Sequence, residues 1–109
     1  MPTFSFSILS PRGKSFEGPV GSVRANGALG GFGILANHAP MIAAVQPGLT
    51  TVHTSGGEEH YFTGEGVMEV SHHEAILLVD EAEKVEGAAA AQELLQKRRD
   101  RLAAARAKS

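Results

Sequence analysis

The sequence predicts a mainly β protein: an antiparallel β-sandwich of about ten short strands followed by one C-terminal α-helix. Three observations predict it. Short segments alternate apolar and polar side chains with the period of a half-buried strand. Turn signals built from Gly, Pro, Ser and Asn recur about every eight residues between them. After Asp80 the chemistry changes, and residues 85–107 are mostly Ala, Leu, Glu, Gln, Lys and Arg, which are strong helix formers.

Residues 3–9 (TFSFSIL) put Phe4, Phe6 and Ile8 on one face, and Ser10-Pro11-Arg12-Gly13 ends the strand in a turn. Residues 14–18 complete a hairpin with it. Residues 20–25 alternate again, with Val23 and Ala25 in phase. Residues 41–45 are short and apolar, and Pro47-Gly48 closes them. Residues 49–54 are rich in Thr and Val, which favours strand, and Ser55-Gly56-Gly57 turns them into residues 59–63. Gly64-Glu65-Gly66 leads into residues 67–70. Ser71 to Glu74 form the next turn, and residues 75–80 (AILLVD) read as a fully apolar, buried strand.

The helical stretch places Ala88, Ala91, Leu95 and Leu102 near helical spacing, with Glu93 and Lys97 as an i,i+4 pair. Its apolar stripe is thin, so the helix needs a surface to lie on. The expected division is a sandwich over residues 1–83 and a helical segment over 84–109. The strands hold nearly all the large apolar residues, so the sandwich is expected to fold without the tail.

Residues 27–40 (GALGGFGILANHAP) carry four of the chain's thirteen glycines, then Ile34-Leu35, then Asn37-His38-Ala39-Pro40. Glycine tolerates left-handed and close-packed backbone, and Pro40 pushes Ala39 toward extended geometry. The stretch reads as a tight loop, a very short strand and a second rigid turn. Gly33 is expected to use that backbone freedom, so a β-branched residue there should disturb the corner. No Gly-Lys-Ser/Thr follows, which excludes a Walker loop, and no helix follows, which excludes a dinucleotide fingerprint.

Composition narrows the function classes. There is no cysteine, so neither disulfides nor thiolate chemistry are available. The longest apolar runs, 41–45 and 75–79, are far too short to span a bilayer, and no signal peptide is expected. The net charge of −2 gives no reason to expect nucleic acid as a partner. Residues 1–80 carry three Lys/Arg against seven Asp/Glu, and residues 81–109 seven against five, which matches the change in pattern. Adjacent His72 and His73 are expected to point apart, whereas His53 and His60 flank a hairpin and can face each other. Neither pair has a third ligand nearby in sequence, so no metal is expected. No local signature of a nucleophile or acid–base pair is present. Arg98, Arg99 and Arg101 read as a solvated helix face.

Certain residues go further. Phe16-Glu17-Gly18, Val23, Gly27-x-x-Gly30-x-x-Gly33-Ile34-Leu35-x-x-His38-Ala39-Pro40, Pro47-Gly48 and Gly64-x-Gly66-x-x-Glu69-Val70 occur in that order. With AILLVDEAE over residues 75–83, they resemble the ε subunit of F-type ATP synthases across essentially the whole chain. The resemblance implies a ten-stranded sandwich and helix in the rotor's central stalk, with no catalytic residues of its own. It implies that the sandwich binds the γ subunit and rests on the c-ring. Gly27, Ala28, Leu29, Gly30, Gly31, Phe32 and His38 would then face the ring. The helix, with Glu93, Lys97, Arg98, Arg99 and Arg101, would be a regulator of ATP hydrolysis that reaches the catalytic β subunits. The implied location is peripheral, on the cytoplasmic face of the bacterial cell membrane.

The sequence departs from the family pattern at three places. Gly31 stands where an acidic residue is common. The tail has one helix in place of two. Residues 85–90 align with the adenine-nucleotide motif Ile/Leu-Asp-x-x-Arg-Ala but carry Glu86 for Asp and Ala89 for Arg, so no cofactor is expected. The rival reading is a free-standing β-sandwich that binds a ligand or protein outside any ATP synthase. A γ subunit that co-purifies would separate the two.

Overall fold

A computed structural model describes residues 2–107 and contains ten strands and one helix. In chain order these are β1 (Phe4–Ser10), β2 (Gly13–Val20), β3 (Ser22–Gly27), β4 (Gly30–Leu35), β5 (Met41–Val45), β6 (Gly48–Thr54), β7 (Gly57–Thr63), β8 (Gly66–Val70), β9 (Glu74–Val79), β10 (Ala82–Val85) and α1 (Ala88–Ala107). Neighbouring strands run in the order β10-β7-β6-β3-β5-β8-β9-β1-β2, with β4 paired to β3. The pairing is antiparallel except between β1 and β9, which are parallel. The sheet curls until its two ends, β2 and β10, approach each other.

Strand alternation builds the core. Phe4, Phe6 and Ile8 of β1, Val23 and Ala25 of β3, Met68 and Val70 of β8, and Ala75, Leu77 and Val79 of β9 all point inward. Their neighbours in sequence point out, as the two-residue period requires. Phe16 of β2 links two of these layers: its ring centroid is 5.9 Å from Phe6 and 6.2 Å from Tyr61, the latter edge-on. The buried polar groups are matched. Thr50 and Thr63 hydrogen-bond at 2.8 Å, and the Tyr61 hydroxyl donates to Glu59 Oε1 at 2.8 Å. Burial, then that hydrogen bond, pushes the Tyr61 phenol well up from its ordinary pKa.

Four features differ from the sequence expectation. The glycine stretch is a hairpin, not a tight loop followed by a strand of two to three residues. Gly27 pairs with Gly30 across the two-residue turn Ala28-Leu29, and β4 runs six residues. Gly30 takes φ of +122° there, a conformation glycine reaches without strain.

Strand β9 is apolar on both faces yet buried on only one, because Leu78 is 38% exposed between buried Leu77 and Val79. Strand chemistry also continues past Asp80. The short β10 reads as no strand in sequence because Ala82-Glu83-Lys84-Val85 lacks alternation, but its backbone pairs in register with β7. That strand runs two residues past Glu83, across the expected boundary of the sandwich. Finally, Gly33 has ordinary strand geometry. A Cβ built on it would meet Val23 O at 3.7 Å, a normal contact.

The demanding glycine is Gly66, at the start of β8. A Cβ there would overlap the backbone carbonyl oxygen of Leu78 and sit 2.8 Å from its carbon, so the obstruction is main chain that cannot rotate away. Gly66→Ala is therefore expected to destabilise the fold by at least about 2 kcal/mol, and Gly33→Ala by less than about 1 kcal/mol. Thermal melts of the two variants check this, since about 2 kcal/mol shifts a domain of this size by roughly 8 °C or more. Equal melting temperatures would remove the special role of Gly66.

Candidate functional site

Among the described residues, no group of three or more His, Cys, Asp or Glu side chains stands where it could hold a metal. The functional candidates are surfaces. The first is the tip of the β3–β4 hairpin. Leu29 projects fully into solvent, Phe32 folds half-buried over Gly27, and Ile42 on the adjacent β5 is 74% exposed. Together with Ala28, Ala43 and Ala44 they line a shallow groove of about 460 Å³ that contains no ionisable side chain. The Ala28 N–H donates to Ala44 O at 3.1 Å, which fixes the tip against β5.

His38 is elsewhere. Asn37 turns the chain with φ of 65° after β4, and the His38 N–H closes that turn on Leu35 O at 3.3 Å. Five strand steps separate Gly30 from Leu35, roughly 17 Å at 3.3 Å per residue. Gly27, Ala28, Leu29, Gly30, Gly31 and Phe32 thus gather at one end of β4, with His38 at the other.

The second surface was not singled out by the sequence. On the outer face of β5, β8, β9 and β1, the register aligns Ala44, Val67, Leu78 and Leu9 in one row across four strands. Ile42 and Ile76 flank it in the next row, separated by Glu69. Val67 and Leu78 are 37% and 38% exposed. The row starts at the hairpin tip and ends at a second groove formed by Leu9, Pro11 and Leu78. A contiguous apolar strip of this kind on a small protein marks an interaction site. In sequence it was hidden because β9 is apolar at every position from Ala75 to Val79, so nothing there distinguished its inward residues from its outward ones.

The third is the helix seat. Helix α1 lies across β6 and β7. Phe62 is 2% exposed although it sits between inward-facing Tyr61 and Thr63, so it points to the outer face that α1 covers. Ala91 is the buried apolar residue of the helix, with Leu94 and Leu95 half-buried, while Leu102 is 43% exposed. Arg98 overturns the solvated-face expectation. Its side chain is only 10% exposed, and its Nη1 and Nη2 donate to Asp80 Oδ1 and Oδ2, each at 2.9 Å. Nη1 also reaches Glu81 Oε2, and Arg101 Nη2 donates to the same oxygen at 2.8 Å. The Glu65 N–H adds a bond to Asp80 Oδ1 at 3.1 Å.

Glycine at position 64 makes room for this cluster: a Cβ would overlap Asp80 Oδ1 and stand 2.8 Å from Arg98 Nη1. Hydrogen bonding to Arg98 is the main cause holding the Asp80 carboxyl below the usual carboxylate range. Lys97 and Arg99 remain exposed, as does Glu93, and Glu93 and Lys97 form no ion pair among the described residues.

The histidines are surface groups. His53 Nε2 lies 3.1 Å from Glu58 Oε2 and His60 Nε2 3.9 Å from Glu58 Oε1, so the two share one carboxylate across the β6–β7 hairpin. His72 and His73 do not point apart: their rings meet edge-on with centroids 4.5 Å apart.

Comparison with known proteins matches these features to a family. The profile of the ATP synthase delta/epsilon chain β-sandwich domain matches residues 3–85, from the first strand through β10. The ATP synthase epsilon chain of Rhodopseudomonas palustris strain BisA53 is 41% identical over 85 residues, covering 78% of this chain and 63% of that protein. That of Anaeromyxobacter sp. strain Fw109-5 is 40% identical over 79 residues, covering 72% and 60%. The chain therefore spans less than two thirds of the length of these curated relatives. Among solved structures, a chain of the Euglena gracilis mitochondrial ATP synthase (OSCP/F1/c-ring) superposes with a TM-score of 0.72 at 20% identity, over 90% of this chain and 66% of that one. A chain of the Tetrahymena thermophila central stalk and c-ring gives 0.63 at 11% identity, over 75% and 66%. At those identities the likeness is one of fold, and the sequence matches carry the assignment: the chain belongs to the ATP synthase delta/epsilon chain family, whose β-sandwich domain its residues 3–85 match.

Proposed function

We propose that the protein is a non-catalytic ε-type subunit of the central stalk of an F-type ATP synthase, linking the γ subunit to the c-ring so that ring rotation and catalysis stay coupled. The observation that carries this reading is the family match over the whole sandwich, residues 3–85. The apolar row Ala44, Val67, Leu78 and Leu9 is the face that suits a large permanent partner, and γ is assigned to it. The hairpin tip is assigned to the ring. A strand-built scaffold joined mostly by two-residue turns suits a part that must transmit torque, since short turns leave few soft dihedrals. The site of action is the cytoplasmic face of the bacterial cell membrane, where the chain is held by its partners. The helix is assigned to the control of ATP hydrolysis, through contacts to the catalytic β subunits.

Co-expression with the γ subunit and c-ring of the same organism tests the assignment. A stoichiometric complex is expected. Leu78→Glu should weaken γ binding by about tenfold or more, as expected for a charge placed in an apolar contact, without changing the melting temperature. Unchanged affinity would move γ to another face; no complex at all would sink the rotor reading.

No nucleotide site is assigned to the chain. Ala89 lacks the guanidinium of the family's nucleotide motif and is exposed on the first turn of α1. Calorimetry with MgATP is expected to show no binding in the micromolar range. A dissociation constant near 1 μM, about −8 kcal/mol, would contradict that.

A further inference from the structure

Strand β4 is a free sheet edge. It pairs with β3 along its whole length and with no other strand among the described residues. The ladder itself shows which of its backbone groups face out, because antiparallel pairs alternate between those that exchange hydrogen bonds and those that do not. Asn26 O, opposite Gly31, leaves the ladder to accept the Gln46 N–H at 2.8 Å. Leu35 O, opposite Ser22, leaves it to accept the His38 N–H at 3.3 Å. Both pairs are therefore of the non-bonded kind, and the Arg24–Gly33 pair midway between them shares their phase. Gly31, Gly33 and Leu35 thus turn their N–H groups away from β3, and all three residues are exposed.

Sheet edges are usually guarded by a charge, a proline or a bulge. The sequence of β4, GGFGIL, holds no ionisable side chain and no proline, and its register with β3 is unbroken. Two of its three outward residues are glycines, which carry no side chain to hold a second backbone away.

We propose that β4 pairs antiparallel with β4 of a second copy of this chain, across a two-fold axis at Gly33. The phase of the edge sets the register. Gly33 faces the partner's Gly33, and Gly31 and Leu35 face the partner's Leu35 and the partner's Gly31. Each of these pairs joins two outward residues, so the Gly33 N–H donates to the partner's Gly33 O and the Leu35 N–H to the partner's Gly31 O. A one-residue slip would set outward groups against groups already bonded to β3.

A second copy is the occupant because the edge complements itself in size and charge. Leu35 is 63% exposed, and in this register it lies beside the partner's Gly31, where no side chain stands in its way. On the other face Phe32 meets the partner's Ile34, an aromatic against a β-branched residue. The nearest like charges along the central row are the two Arg24 side chains, three strand spacings apart. That is about 14 Å at 4.8 Å per spacing, beyond the Debye length of about 8 Å at physiological salt. The Ala28-Leu29 turns come to opposite ends of the joined strands, clear of the contact. A contact one strand wide lies at the low end of interface sizes, so the dimer is weak and forms as the free chain is concentrated.

Sedimentation equilibrium of the full chain from about 10 μM to about 1 mM tests the pairing. The average mass should climb from that of one chain toward that of two. Gly33→Lys and Gly33→Glu are suitable variants, because a Cβ at Gly33 meets nothing closer than Val23 O at 3.7 Å. Each should weaken association about tenfold or more, since each sets like charges opposite one another on the axis. An equal mixture of the two should associate again, because Lys then faces Glu. In the wild type, amide exchange at Gly33 and Leu35 should slow as concentration rises, while Phe32 and Ile34, bonded to β3, stay unchanged. A monomer throughout the range, association that neither charge variant weakens, or a mixture that does not recover overturns the proposal. Should both charge variants unfold, the exchange measurement decides: rates at Gly33 and Leu35 that ignore concentration overturn it. The readout needs this chain alone, so failure to bind γ would refute the rotor reading and leave this one standing, and the converse holds.

Discussion

The parallel pairing of β1 with β9 is the constraint on which the rest depends. Five residue pairs, Ser5↔Glu74 through Leu9↔Leu78, join the N-terminal hairpin to the remainder of the sheet. That register puts Ile8 and Leu77 inside together and Leu9 and Leu78 outside together. It therefore sets both the central layer of the core and the last step of the outer apolar row. It also fixes where β9 ends, and so where Asp80 and Glu81 stand. A one-residue slip would reverse every side chain of β1 between core and surface.

The sequence was most readable where one face of a strand is buried and the other is polar. Residues 3–9 and 20–25 announce their inward positions, and the structure uses them. Legibility failed where the deciding contact is remote or purely main-chain. β10 exists because β7 offers it hydrogen bonds, a cause invisible in the four residues themselves. Of the glycines, Gly33 lies within the most distinctive motif and has ordinary surroundings, whereas Gly66 is crowded by a carbonyl twelve residues away. Glycine content shows where the backbone can be unusual. It does not show which glycine is pressed by a neighbour.

Arg98 is the sharpest case on the candidate surfaces. By local pattern it belongs to a run of exposed cations with Lys97 and Arg99, and those two are exposed. Its burial is decided by helix phase: position 98 lies seven residues after Ala91, on the face that meets the sheet. The weak apolar stripe of α1 hid that phase, because a charged residue at the stripe position counts against the pattern. The acidic partner, Asp80-Glu81, lies across the boundary drawn between strands and helix. The same change in composition that located the helix concealed what ties it down.

The outer faces of the sandwich are unequal in a way that follows from these contacts. Both sides carry apolar residues that the core does not absorb: Phe62 on β7, and Leu78, Val67 and Ile42 on β9, β8 and β5. The chain covers the first itself, laying α1 over Phe62 and fixing it with charge rather than with a broad apolar stripe. It leaves the second open, although at roughly 25 cal/mol per Å² of apolar area an occupant would gain from covering it. The arrangement thus separates a face that the chain covers with α1 from an open face whose apolar row has no cover among the described residues. On the stalk reading, the open face is the one that a permanent neighbour completes.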